Sequence, residues 1–166
     1  MRKVYWIDGE MLGGRPGPMR EPWSLKEFAQ NGITTVVSLT ERMLNRSHEF
    51  KAYGLCHYCI PLPKNAPPRE GDLDNVRLLV PFIGAVVNDF LEAGNKIIIH
   101  CSSGKDRSAL VLIYFLVRFR QYRVGEAYAF VRSRNPKMLT ANGWGLLADE
   151  FFRSMGYSES ETGASS

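Results

Sequence analysis

Apolar residues along the chain alternate between short β-branched runs and longer stretches with helical spacing. Residues 33–39 and 96–100 are rich in β-branched residues and predict strands, the second of them buried. Weaker alternation predicts edge strands over 4–8 and 11–13 and a further strand over 55–60. Helical spacing predicts helices over 24–30, 45–53, 72–93, 107–120, 124–134 and 143–155. Ser24, after Pro22, caps the first of these, and Gly54 and Gly94 end the second and third. Pro81 lies inside the 72–93 helix and is expected to kink or split it. The run over 109–117 is apolar throughout, which predicts a buried helix. It is too short to span a bilayer and is followed by Arg118. Residues 61–71 are Pro-rich and predict a loop bordering a cleft. No internal repeat is evident. Strands that alternate with helices imply an α/β, three-layer-like domain, with a central, mainly parallel sheet of about four or five strands flanked by helices. Its site is expected outside the carboxyl ends of the strands. We expect one domain over 1–157 and a disordered tail over 158–166, which has no apolar anchor.

The most informative segment is His100-Cys101-Ser102-Ser103-Gly104-Lys105-Asp106-Arg107-Ser108, between the 96–100 strand and the 107–120 helix. A turn of this kind presents backbone N–H groups at a helix start, where the macrodipole adds positive potential. Gly104 allows a tight curl, and the turn forms an anion-binding nest from Ser102, Ser103, Gly104 and Lys105. Arg107 adds a planar fork suited to two phosphate oxygens. Cys101 would lie beneath the bound anion, in a field that favours its thiolate. A thiolate there can attack phosphorus in line, and water can hydrolyse the resulting cysteinyl phosphate. Ser108 is placed to hydrogen-bond the sulfur and ease its departure. His100 is expected to order the loop rather than transfer a proton.

This Cys-x5-Arg segment resembles the cysteine-based protein tyrosine phosphatase superfamily, and in particular its small dual-specificity branch of compact microbial type. Cys101, Gly104, Arg107 and Ser108 fall on that family's nucleophile, loop glycine, phosphate-binding arginine and hydroxyl positions. Gly13-Gly14-Arg15-Pro16-Gly17, the 32–41 segment and Tyr58-Cys59-Ile60-Pro61 are similar to further family segments, in the same order. The likeness covers about nine tenths of the chain. It implies a dual-specificity phosphatase fold and hydrolysis of phosphotyrosine, phosphoserine or phosphothreonine proteins. A phosphoinositide or other small phosphorylated metabolite is the alternative substrate. A phosphate-binding module without catalysis is a third reading. A rhodanese-type sulfur carrier also uses a loop cysteine, but Arg107 and its neighbours favour phosphate.

The chain departs from the family where a general acid is expected. Leu62-Pro63-Lys64-Asn65-Ala66-Pro67-Pro68 holds no carboxylate. Asp106, inside the loop, is the favoured acid because some relatives with a Lys-Asp-Arg loop are thought to use that Asp. Asp72 and Asp74 are the alternatives, although carboxylates at a helix start often serve as caps. Asn142 stands near the position where the branch often has a water-positioning Gln, and a helix-cap role is equally open. Lys105 makes the loop more basic, as in relatives that act on inositol phosphates or phospholipid head groups.

Composition bounds the rest. The chain has 166 residues, of which 45% are hydrophobic and 23% charged, which suits a single soluble domain. The net charge of +4 suits an anionic substrate but is too small to imply nucleic acid. Arg118, Arg120, Arg123, Arg132, Arg134 and Lys137 are expected to lie on solvated helix sides rather than on one basic face. Cys56 and Cys59 lack the further ligands that zinc needs, so no metal or cofactor is expected. Both read as buried structural thiols on opposite faces of a strand, with a redox role toward Cys101 left open. Residues 1–8 hold too short an apolar run for a signal peptide, and a catalytic thiol fits a reducing compartment. A cytoplasmic monomer with no membrane span is the expectation.

Overall fold

Ile97, Ile98 and Ile99 are fully buried at the middle of the sheet in a computed structural model that describes residue 1 and residues 3–157. Five strands form that sheet: β1 (Tyr5–Asp8), β2 (Leu12–Arg15), β3 (Thr35–Ser38), β4 (Cys56–Cys59) and β5 (Ile97–His100). Their order is β1-β2-β5-β3-β4, with only β1 antiparallel to its neighbour. The mainly parallel, helix-flanked sheet expected from the sequence is therefore present.

Alternation along the strands assigns the two faces. Ile97, Ile99 and Val37 face one cluster, built with α3 (Asp72–Glu92), α4 (Arg107–Arg120), α5 (Val124–Arg134) and α6 (Trp144–Ser154). Ile98 and Val36 face a smaller cluster with Phe28 of α1 (Leu25–Gln30) and Phe50 of α2 (Ser47–Lys51). Each such aliphatic side chain contributes about 1.5–3 kcal/mol on burial. No residue of α4 from Arg107 to Val117 is more than 7% exposed. This helix therefore lies inside the molecule, and the loop that feeds it is held by the core.

The Ser24 cap forms as expected, with its hydroxyl accepting the Glu27 N–H at 3.2 Å. Three expectations are corrected. Pro81 does not split α3, which runs unbroken from Asp72 to Glu92. Proline removes one internal hydrogen bond, but Val76, Val80, Ile83 and Val87 remain buried along the packed face and hold the helix together. A Cβ at Gly84 would stand 2.8 Å from the Tyr114 ring, so the close approach of α3 to α4 requires glycine there. The 45–53 helix shrinks to α2, because Asn45 adopts a left-handed φ of 63°; a short 3-10 turn, Glu41–Met43, precedes it. Cys56 is exposed and Cys59 half-buried, so they are not a buried thiol pair.

Two basic residues of α4 and α5 engage different partners. Arg120 donates to Asp8 Oδ2 at 2.6 and 2.9 Å, while Arg134 lies over the Phe130 ring. Residues 158–166, expected to be a disordered tail, lie outside the described residues. No helix among the described residues is long and apolar enough to cross a membrane.

Phe115 is fully buried between the sheet and the other helices. Phe115→Ala should cost about 3–5 kcal/mol of unfolding free energy in urea titrations. A loss under about 1 kcal/mol would contradict a tightly packed α4.

Candidate active site

The loop between β5 and α4 is shaped by what holds its carbonyls. His100 Nδ1 lies 2.9 Å from Cys101 O. The Gly17 N–H donates to Ser102 O at 3.0 Å. Gly104 O accepts from the Tyr5 hydroxyl at 2.9 Å and from Asn135 Nδ2 at 2.9 Å. Lys105 O accepts the Leu139 N–H at 3.0 Å. In a trans peptide the N–H points opposite to the C=O. Four outward-held carbonyls therefore aim the N–H groups of Ser102, Ser103, Lys105 and Asp106 the other way, into one concavity. The Gly104 N–H donates directly to Cys101 Sγ at 3.2 Å.

Cys101 is 1% exposed at the floor of this bowl. Ser108 Oγ lies 3.5 Å from its sulfur and 3.2 Å from the Tyr5 hydroxyl. Arg107, six positions after the cysteine, is 6% exposed. Its Nη1 donates to Leu39 O at 2.8 Å and its Nη2 to Ser102 Oγ at 3.0 Å, which fixes the plane of the guanidinium. Gly104 has a φ of 71°, and a Cβ there would stand 2.5 Å from Pro16 N, so only glycine fits. Cys101, Ser102, Ser103, Gly104, Lys105, Asp106, Arg107 and Ser108 thus belong to one loop and the first turn of α4.

The three candidate acids differ sharply. Asp106 sits in the loop, and its Oδ1 accepts the Ala141 N–H at 3.1 Å. Asp72 is buried, and its Oδ2 accepts from Asn65 Nδ2 at 2.9 Å and from the Arg69 N–H at 2.7 Å. It shapes the 65–72 turn. Asp74 is exposed on α3, 3.7 Å from Arg77. Only Asp106 is joined to the bowl. Asn142 is exposed, and the α6 cap position belongs to Gly143, so the cap reading fails. The 61–71 loop is fastened to the start of α6, where Trp144 Nε1 donates to Asn65 O at 2.9 Å.

Cys59 Sγ donates to Thr40 O at 3.4 Å, and burial pushes its thiol up. β3 lies between β4 and β5, so Cys59 stands two strand spacings, roughly 10 Å, from the end of β5. A disulfide needs Cα atoms within about 7 Å, so the geometry does not pair either β4 cysteine with Cys101. Among the described residues, no group of three His, Cys, Asp or Glu side chains is placed to hold a metal ion.

Sequence reasoning missed Tyr5, Ser38, His57 and Asn135. Ser38 Oγ bridges His100 Nε2 at 2.5 Å and His57 Nε2 at 2.9 Å, and Ser47 Oγ lies 2.8 Å from His57 Nδ1. Because His100 Nδ1 donates to a carbonyl, its neutral Nε2 accepts from Ser38. Ser38 then accepts from His57 Nε2, and His57 Nδ1 accepts from Ser47. The chain fixes both tautomers. Glu41 is the other carboxylate near this end of the sheet; its hydrogen bond to Lys64 holds its carboxyl below the usual range, so it is ionised.

With this geometry in view, the family follows. The family model for the dual specificity phosphatase catalytic domain matches residues 21–149, and the chain belongs to that family. The phosphatidylglycerophosphate phosphatase PTPMT2 of Arabidopsis thaliana is 28% identical over 153 residues, covering 90% of this chain and 63% of the relative. The tyrosine-protein phosphatase CDC14 of Saccharomyces cerevisiae is 25% identical over 150 residues, covering 88% of this chain and 26% of the relative. The chain thus spans about a quarter to two thirds of the length of these curated relatives. Among solved structures, Tk-PTP in its active form superposes with a TM-score of 0.71 at 23% identity, covering 92% of this chain and 97% of that one. Human DUSP28 gives a TM-score of 0.71 at 16% identity, with 93% and 96% covered. Both share the fold.

His100 is buried, and that burial lowers its pKa from 6.5 to about 4. Between those values the unfolded chain binds the proton and the folded chain does not. Stability should therefore be complete above pH 6.5 and fall by about 3 kcal/mol as the pH drops to 4. Urea titrations of the wild type and of His100→Asn should diverge over this window, the variant losing that part of the slope. Parallel pH profiles would contradict the neutral, donating His100.

Proposed function

We propose that the chain is a phosphomonoester hydrolase that works through a cysteinyl-phosphate intermediate. The observation that carries this reading is Cys101 Sγ accepting the Gly104 N–H at the floor of a bowl of convergent N–H groups. The phosphoryl oxygens sit on those N–H groups and on Arg107. The Cys101 thiolate attacks phosphorus, an S–P bond forms and the ester P–O bond breaks. Asp106 gives its proton to the leaving oxygen. Water then attacks phosphorus, Asp106 takes a proton from it, and the S–P bond breaks. Ser108 donates to the departing sulfur. Lys105 adds positive charge at the rim, and Ser102 holds Arg107 through Nη2.

Phosphotyrosine, phosphoserine and phosphothreonine proteins are the first substrates for this reading, in keeping with the family. The intact pairing of Cys101 with Ser108 speaks against a module that only binds phosphate. Phosphoinositides and other small phosphorylated metabolites form the second reading, favoured by the basic surroundings of Lys105. A single phosphatase domain over 1–157, acting as a monomer in the reducing cytoplasm, fits a site that one chain completes with a free thiol.

Cys101→Ser should abolish turnover of para-nitrophenyl phosphate without added divalent ions, while phosphate binding persists because the N–H cradle is untouched. Retained turnover would defeat the mechanism. Asp106→Asn should lower kcat on alkyl phosphates about 10²–10⁴-fold and on para-nitrophenyl phosphate far less, since nitrophenolate leaves without a proton. Equal losses on both would remove Asp106 from the acid role.

A further inference from the structure

We propose that Tyr5 is a positioning residue for the reaction: acting through Ser108, it lets hydrogen-bond donation turn toward the Cys101 sulfur when that sulfur becomes an anion. The proposal deepens the hydrolase reading and rests on it.

The Tyr5 phenol has one proton, and it gives that proton to Gly104 O at 2.9 Å. Ser108 Oγ also has one proton. It lies 3.2 Å from the phenol oxygen and 3.5 Å from Cys101 Sγ. With its own proton on Gly104 O, the phenol oxygen can only accept. The Ser108 proton therefore goes to the nearer Tyr5 and not to the sulfur. Burial pushes the Tyr5 phenol above its usual range, so it keeps its proton throughout. At rest the sulfur is served by the Gly104 N–H at 3.2 Å.

Departure of the sulfur as a thiolate changes the balance. The Ser108 proton turns to the anion, where the hydrogen bond is charge-assisted. The Tyr5 proton then turns from Gly104 O to Ser108 Oγ. Two hydroxyls rotate and no proton leaves its oxygen. The result is a continuous line of donors from Tyr5 through Ser108 to Cys101, in which each bond polarises the next.

Such a turn would ordinarily leave Gly104 O without a donor. Asn135 prevents this, because its Nδ2 donates to the same carbonyl at 2.9 Å. Among the described residues, the other three outward carbonyls of the loop take one donor each. The second donor at Gly104 O exceeds what holding the loop requires, and it is what releases the phenol. Gly14 gives the phenol its seat. Tyr5 pairs with Gly14 across β1 and β2, and a Cβ at Gly14 would stand 2.3 Å from Tyr5 Cζ. Glycine there lets the ring lie over β2 and reach the loop from its outer side. The Gly13-Gly14 segment of the sequence thereby serves the site without touching it.

The test uses the full chain with Tyr5→Phe, which keeps the ring and removes the hydroxyl. In rapid-quench assays with para-nitrophenyl phosphate above neutral pH, breakdown of the phosphoenzyme should slow about fivefold, as expected for one lost hydrogen bond, while its formation stays within about twofold. The pH profile of Cys101 alkylation by iodoacetamide should move upward by about half a unit. Asn135→Leu keeps the phenol but makes it the sole donor to Gly104 O, and it should move the alkylation profile in the same direction. In a Ser108→Ala background, Tyr5→Phe should change neither readout further. Equal slowing of formation and breakdown, or a Tyr5→Phe effect that persists without Ser108, would reduce Tyr5 to a packing residue and overturn the proposal. An unchanged alkylation profile in Asn135→Leu would overturn the turning of the phenol. Wild-type protein inert toward para-nitrophenyl phosphate would sink the hydrolase reading, whereas alkylation reads the line of donors independently of turnover.

Discussion

The outward pull on the carbonyls of Cys101, Ser102, Gly104 and Lys105 is the constraint from which the site follows. Each buried carbonyl left unpaired would cost about 1–3 kcal/mol, so the loop settles where all four find donors. Peptide planarity then turns the N–H groups inward without any further instruction. Cys101 O takes its donor from the adjacent His100, and the other three carbonyls take theirs from distant parts of the chain: Tyr5 on β1, Gly17 after β2, and Asn135 and Leu139 after α5. The loop is therefore set largely by tertiary structure. Packing and chemistry are one problem here, because those donors stay in place only while β1, β2 and α5 stay packed around α4.

The same constraint explains the division of labour among the carboxylates. Asp106 belongs to a loop whose backbone is already fixed, and its Oδ1 is anchored by the Ala141 N–H. Asp72 is committed to the turn that closes the 61–71 segment, through Asn65 and Arg69. Glu41 is kept ionised by Lys64. Arg107 is oriented from behind by Leu39 O, at the end of the strand beside β5. The anion-facing groups are thus held before any substrate arrives, and that is the condition for electrostatic stabilisation without reorganisation.

Much of this was legible in the sequence. The Ile97–Ile99 run, the apolar length of α4 and the Ser24 cap are local signals, and each became the element it implied. The loop residues from Cys101 to Ser108 were legible because their spacing is itself the motif. What stayed hidden was long-range. Tyr5 acts on Gly104 from 99 residues away, and Leu39 on Arg107 from 68. A tyrosine in an edge strand and a backbone carbonyl carry no mark of such a role. Asn45 was misread because its left-handed backbone is not visible in hydrophobic spacing, and the helix does not split at Pro81 because the packing of α3 outweighs one lost hydrogen bond. The gathering of Arg134 and Lys137 with Lys3 and Arg20 around one cleft was not legible either. It joins segments more than a hundred positions apart.

The central claim is that the Cys101 sulfur becomes bonded to phosphorus during turnover. Rapid acid quench of the wild-type protein with an aryl phosphate, followed by peptide mass spectrometry, reads that bond directly. A phosphoryl group on the peptide containing Cys101, formed in a burst and absent from Cys101→Ser, is the predicted result. Turnover with no phosphorylated peptide, or with the group on another residue, would contradict it.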